Sequence, residues 1–394
     1  MTTSPTTSPT PVDAARTLRD VTAEEAQASE HLRTLTPRSV GALWDSGLMQ
    51  LFNPLEAGGA EPSFAQMIEA WIELAWQDGS LGWIGIANLP SAAACAAYLP
   101  PAGFEEVFTA HGNRVTVGGQ FFPNGMGAEV EGGYRVTGAW NFGSGTGHAE
   151  YVAAGFMPTV DGELEVGDDG IPPLLVAVIP RGEIVFTDGW HVQGLRGTGS
   201  YDYNVTDVFV PRSRTFELFT RVPERGRSAA FRMGLMAITA AGHASWALGV
   251  AKSMIDDVAE LAMVKVRMGD EGALANRASF QKGLSHHAAM WKAARLLVLD
   301  TFTSAEAHVA AGGELTPSMR ADLRVAATYA TEASREVVQW AHLAAGTTAI
   351  REGSRLERAF RDLYTGTQHV FIGEKTYTDA ARIHLGLVED QFGL

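Results

Sequence analysis

Apolar residues recur at helical spacing along roughly the first hundred residues. Arg33 to Leu51 follows that period, and Phe64 to Gln77 sets Met67, Trp71, Leu74 and Ala75 on one face, with Ser63 placed to cap it. Between Asn113 and Pro211 the pattern changes to short β-rich runs separated by glycine pairs and Asp-Gly or Asn-Gly turns. Runs of that length and spacing predict an antiparallel barrel or sandwich. Helical periodicity then returns in four long, Ala-rich segments: Ala237 to Val266, Phe280 to Gly312, Ser318 to Ala345 and Leu356 to Ile372. Segments of this kind predict an up-and-down bundle. The expected architecture is therefore α+β. An N-terminal helical domain covers 12–112, a central antiparallel β-barrel domain 113–211, and a C-terminal four-helix bundle 228–394. Residues 212–227 read as a polar, basic linker and 1–11 as a disordered tail.

Charge and cysteine content narrow the function. Forty-five acids against 30 bases give a formal charge of −15. That balance argues against a nucleic-acid partner, an anionic membrane surface or a highly anionic substrate. Cys95 is the only cysteine, which excludes a disulfide framework and Cys-based zinc or iron–sulfur sites and suits a reducing cytoplasm. The start of the chain has neither a basic nor an apolar leader pattern. The uncharged run from Ser80 to Tyr98 is interrupted by Pro90 and reads as a buried helix pair, not a membrane span.

Glycine is abundant, at 43 residues, so nucleotide-binding loops need testing. Gly143 to His148 fails the dinucleotide fingerprint, because His148 stands at the third glycine and no helix follows. Gly194 to Ser200 has the wrong spacing, and no Walker A sequence occurs. Trp140-Asn-Phe-Gly-Ser-Gly145 is more suggestive. A flat aromatic ligand could stack on Trp140 or Phe142 while Ser144 and the backbone of Gly143 and Gly145 bond its edge. The alternative is an ordinary hairpin end with a core aromatic. None of the 11 histidines has metal-site spacing, so no metal is expected. His369 taken alone reads as a packed or surface residue more readily than as a catalyst. No Gly-x-Ser-x-Gly elbow is present.

Three motifs carry a resemblance across nearly the whole chain: Glu131 to Gly145, Gly194 to Ser200 followed by Asp207 to Pro211, and Gly346 to Asp362. Their order and spacing resemble the acyl-CoA dehydrogenase fold. Tyr364-Thr-Gly-Thr367 resembles that family's base motif but has threonine where a carboxylate is needed. Phe142-Gly-Ser-Gly-Thr-Gly-His-Ala149, together with His369, is similar instead to the two-component, flavin-dependent (group D) monooxygenases of the same fold.

That resemblance implies reduced flavin (FMNH2 or FADH2) and O2 as cofactors and a C4a-hydroperoxyflavin held by Ser144 at N5 and His369 near C4a. It also implies a separate NAD(P)H-flavin reductase serving through diffusing flavin. Arg196, Arg277 and Phe280 would approach the flavin phosphates, and the Gly346 loop would reach a neighbour's flavin, giving a homotetramer. Trp83, Asn88 and Phe121 are the expected substrate-pocket residues. Between His31 and His111 there is no histidine to activate a phenol, so the expected substrate is a hydrophobic aromatic or polycyclic molecule, or an amine, in secondary metabolism or catabolism. An acyl-CoA dehydrogenase-type flavoprotein and a non-catalytic ligand-binding homologue are the alternatives.

Overall fold

A computed structural model describes residues 10–167, 170–187, 189–391 and 393–394. Of the tail expected at 1–11, residues 1–9 lie outside them, while Pro11 begins a helix capped by Thr10. The N-terminal helices are α1 (Pro11–Arg16), α2 (Arg19–Leu32), α3 (Pro37–Asp45), α4 (Leu48–Leu51), α5 (Phe64–Gln77), α6 (Gly79–Tyr98) and α7 (Pro101–Val107). Ser63 caps α5 in a reciprocal box with Gln66. Asp78 ends α5 and begins α6, its carboxylate accepting the Ser80 and Leu81 N–H groups. The expected helix pair is one helix: α6 runs through Pro90 without a break. Proline leaves the Ile86 carbonyl without its helical donor, and Gly242 meets α6 at Ile86, where an added Cβ would sit 3.0 Å from the Ile86 Cβ. Among the described residues no helix is long and apolar enough to cross a membrane.

The strands are β1 (Val117–Val130), β2 (Gly133–Gly143), β3 (Tyr151–Val160), β4 (Glu163–Leu164), β5 (Leu175–Pro180), β6 (Val185–Thr187), β7 (Tyr201–Pro211) and β8 (Thr215–Glu217). They form one sheet in the order β6-β7-β2-β1-β3-β5-β8, with β4 on β3. This corrects the antiparallel barrel. The sheet is open, ending at β6 and β8, and mixed, because β1 and β3 run parallel. The crossover from β2 to the far side of β1 is the segment 144–150, and it carries the glycine motif. Part of the expected linker is the edge strand β8, paired with β5.

The C-terminal helices are α8 (Ala229–Met233), α9 (Leu235–Val264), α10 (Ala278–Ala310), α11 (Pro317–Ala345), α12 (Arg355–Gly366) and α13 (Lys375–His384). The long helices α9, α10 and α11 pack on one another, α5 lies along α9, and α12 joins α9. The fourth long segment expected from Leu356 to Ile372 is shorter: α12 ends at Gly366, and a turn leads to α13. Gly366 is pressed against Trp246, where an added Cβ would meet the indole at 2.1 Å.

Candidate active site

At the end of β2 the backbone is forced into unusual conformations. Phe142 has φ +60° and Gly145 φ +75°. A Cβ on Gly145 would fall 1.8 Å from the Asn88 Oδ1, so only glycine fits there. Asn88 is buried; its amide donates to the Val117 carbonyl at 3.0 Å, and Oδ1 has no partner among the described residues. Gly145 N–H donates to the Thr198 carbonyl at 3.0 Å, which joins the two glycine-rich loops.

The same loops build a line of hydroxyls whose direction is fixed. Thr198 Oγ1 donates to the Leu195 carbonyl at 2.9 Å. Its single proton is then committed, so Ser200 must donate to Thr198 at 2.6 Å, and Ser144 to Ser200 at 3.0 Å. Ser144 therefore faces outward as an acceptor. One lone pair takes the Trp83 indole N–H at 2.9 Å, and the other has no donor among the described residues. The loop is tied to α12 by Leu195 N–H, which donates to Asp362 at 2.6 Å. Burial, then the neighbouring Asp78, push the Asp362 carboxyl up to about 8.

Helices supply the other side. Trp83 on α6 lies edge-on to His243 at 5.2 Å and to Trp246 at 5.0 Å, both on α9. His369, in the turn after α12, has its ring centroid 4.3 Å from His243 and 6.0 Å from Trp83. Phe371 N–H donates to the His369 Nδ1 at 3.2 Å, so the neutral ring carries its proton on Nε2. Arg324 on α11 donates to the Phe371 carbonyl at 2.7 Å and stacks 3.5 Å over its ring. Burial, then Arg324, lower His369 to about 4. Burial, His369 and Arg324 hold His243 well below the usual imidazole value. Both rings are neutral at pH 7.

Ser144, Trp83 and His369 thus meet, with Asn88 behind Gly145. Trp140 does not join them. Its ring is 1% exposed, stacks on Tyr203 at 5.4 Å and donates to the Gly155 carbonyl, so it is sheet core and offers no stacking face. Phe142 is 63% exposed and edge-on to Trp190 at 6.2 Å, leaving its face open. Gly143 is buried against Tyr203. Phe121 packs edge-on to Phe216 at 6.3 Å. Arg196 bonds the Val192 carbonyl at 3.0 Å within its own loop.

A third group lies elsewhere. Arg277 is paired with Asp270, Phe280 packs on Trp340 at 5.8 Å, and Gly346 closes α11 where Lys265 donates to the Ala345 carbonyl at 2.6 Å. Lys265 follows His243 by most of the length of α9, roughly 30 Å at 1.5 Å per residue. Among the described residues no His, Cys, Asp and Glu group could hold a metal ion. Sequence reasoning missed Ser200, Thr198, Arg324 and His243. The first two stand inside a motif already singled out; His243 has no local signal in an Ala-rich helix.

Residues 241–374 match the family model for the acyl-CoA dehydrogenase C-terminal domain. Indole-3-acetate monooxygenase of Pseudomonas putida is 29% identical over 349 residues, covering 86% of this chain and 84% of that protein. The flavin-dependent monooxygenase oxygenase subunit HsaA of Mycobacterium tuberculosis is 29% identical over 383 residues, covering 94% and 92%. Residues 241–374 thus carry an acyl-CoA dehydrogenase C-terminal domain, and the chain is homologous to flavin-dependent monooxygenase oxygenase subunits. The fold of this homologue also matches XiaF from Streptomyces sp., solved with FADH2 and glycerol, at a TM-score of 0.87 and 24% identity over 98% of this chain and 97% of that one. Its residues suit a reduced flavin. An N5–H is a donor, and Ser144 is oriented to accept it.

Proposed function

We propose that the chain is the oxygenase component of a two-component monooxygenase that inserts one oxygen atom into an aromatic small molecule. The observation that carries this reading is the directed hydroxyl line ending at Ser144, beside a neutral His369 with Nε2–H to donate. Reduced flavin, when bound, supplies the two electrons that activate O2. Ser144 would accept from N5–H and orient the ring. His369 would donate from Nε2 to oxygen atoms beside C4a. Neither imidazole holds a second proton at pH 7 to deliver out of turn. Trp83, Trp246 and Phe371 exclude water with apolar surface. Phe142 offers the stacking face.

The finer parts of this reading follow from distance. Arg277, Phe280 and Gly346 are too far from Ser144 for one chain to hold both ends of a flavin. They would serve the flavin of another copy, which supports a homotetramer. A separate cytoplasmic NAD(P)H-flavin reductase would deliver the reduced cofactor; the chain itself has no dinucleotide fingerprint.

Anaerobic titration tests the central claim. Reduced flavin is expected to bind at least tenfold more tightly than oxidised flavin, and mixing the complex with O2 should give an absorbing transient that free reduced flavin lacks. Equal affinity for both redox states, or reoxidation as in buffer, would refute it.

A further inference from the structure

Behind the second glycine-rich loop lies a buried group of charges that the proposed chemistry does not use. Asp362 on α12 and Asp78, at the junction of α5 and α6, are both buried. Each carboxylate has one oxygen on backbone. Asp362 Oδ1 accepts the Leu195 N–H at 2.6 Å, and Asp78 Oδ1 accepts those of Ser80 and Leu81, both at 3.0 Å. The remaining oxygens, Asp362 Oδ2 and Asp78 Oδ2, are buried and have no hydrogen-bond partner among the described residues. Both residues border Gly79: it follows Asp78 directly, and a Cβ on it would fall 2.5 Å from Asp362 Oδ2.

The charges around this pair do not balance. Glu30 on α2 and Glu357 on α12 add carboxylates, and only Arg358 and Arg361 face them among the described residues. Arg361 is taken by Glu30 and Glu357. Arg358 Nε is 3.0 Å from Asp78 Oδ2 as an ion pair but is not aligned to donate to it. On α9, Asp257 is held by Arg355 at 2.8 Å, and Trp246 donates to the Gly79 carbonyl at 2.9 Å. Two carboxylates buried beside one glycine ionise together only at high cost. One proton between them satisfies both orphaned oxygens.

We propose that Asp362 and Asp78 share one proton at neutral pH, and that Asp362, kept neutral in this way, is the positioning residue that sets the direction of the hydroxyl line. Burial and the Asp78 charge act in that sense, holding the Asp362 proton up to about 8. The link is the Leu195 peptide. Leu195 has φ +55°, a conformation that leucine keeps only when its neighbours hold it. Its N–H is on Asp362, and its carbonyl accepts from Thr198 Oγ1 at 2.9 Å and from the Trp190 indole at 3.0 Å. Turning this peptide would withdraw the acceptor that commits the Thr198 proton, and Ser200 and Ser144 would lose their fixed sense with it. Loss of the buried proton sets α12 against the start of α6 by like-charge repulsion, and α12 leads into the turn that carries His369. The shared proton stands without the oxygenase reading; its effect on flavin rests on that reading.

Infrared spectra of the flavin-free protein test the proton. The native spectrum minus that of Asp362→Asn should show a carboxylic-acid band at neutral pH that fades with a midpoint near 8. In an Asp78→Asn background, proton affinity should fall about tenfold or more. Absence of the band, or a midpoint indifferent to Asp78, would overturn the proposal. Hydrogen exchange of residues 194–200 in the same protein tests the positioning. Asp362→Leu should speed it about tenfold. Asp362→Asn, whose carbonyl can accept the Leu195 N–H and whose amide can donate to Asp78, should stay within about twofold of native at pH 7. Relative to Asp362→Asn, native exchange should quicken about fivefold between pH 7 and 9.5. That comparison stands even where Asp362→Leu fails to fold, and a constant ratio refutes the role of Asp362. Flavin affinities carry the result to the site. Relative to Asp362→Asn, the native preference for reduced over oxidised flavin should narrow about fivefold over the same range. A preference that does not narrow overturns the control of the hydroxyl line. No preference for reduced flavin at any pH sinks the oxygenase reading alone, and the infrared and exchange results then decide this one.

Discussion

The two sides of the site are built on opposite principles. On the sheet side, Ser144, Ser200 and Thr198 form a saturated chain in which every proton has an assigned acceptor. On the helix side, His243 and His369 lie against each other with their ring planes tilted by 46°, amid Trp83 and Phe371. The first arrangement fixes direction and the second removes charge. In the proposed reading, together they would orient a ring by one bond and deprive its neighbourhood of loose protons, which neither side would do alone.

Replacing Gly145 should break the sheet side most severely. Gly145→Ala drives a methyl into Asn88 in a left-handed backbone, so a loss on the order of 3 kcal/mol in stability is expected. Denaturant unfolding measures it, and reduced-flavin binding should vanish with it. On the helix side, His369→Phe keeps the packing and deletes the Nε2–H donor. The lifetime of the oxygen-dependent transient should fall about 10- to 100-fold while anaerobic reduced-flavin affinity changes less than threefold; unchanged decay would refute the role of His369.

Ser200→Ala probes direction alone. Ser144 loses its acceptor and can turn its own proton outward, so the preference for reduced over oxidised flavin should narrow about fivefold. A variant that lowers both affinities in proportion would point to mere structural damage. Ser200→Thr restores a hydroxyl and should recover the preference.

The smallest effect is a pH dependence. His369 sits near 4 against an ordinary 6.5, so between those values the unfolded chain binds more protons than the folded one. Its contribution to stability is therefore complete above about 6.5 and lost as pH falls towards 4. His369→Gln does not titrate, and the melting temperature of the native protein relative to this variant should fall across that window. A constant difference would place the imidazole in solvent.

What could be read from the chain follows the range of the interactions. Ser144, Gly145, Thr198 and Ser200 lie in short glycine-rich loops whose conformation is set locally, and the resemblance rested on those loops. Trp140 and Phe142 share strand parity, so both read as stacking faces. A register shift between Trp140 and Gly143, with Phe142 at positive φ, sends one inward and turns the other out. No periodicity reveals that bulge. The parallel pairing of β1 with β3 was hidden likewise, since short runs with turns look the same whichever neighbour they find. His243, Arg324 and His369 come from three separate segments, and only packing of α9, α11 and the turn after α12 brings them together. His369 was legible by resemblance, His243 not at all.

Trp83 has one more consequence. Its indole N–H bonds the hydroxyl proposed to hold the cofactor, and its ring edge faces Trp246 and both histidines. The site therefore contains its own fluorophore, placed where arrival of a flavin must change its surroundings. Loading and release can be followed from the protein's ultraviolet emission without a label, and Trp83→Phe identifies which part of the signal belongs to the site.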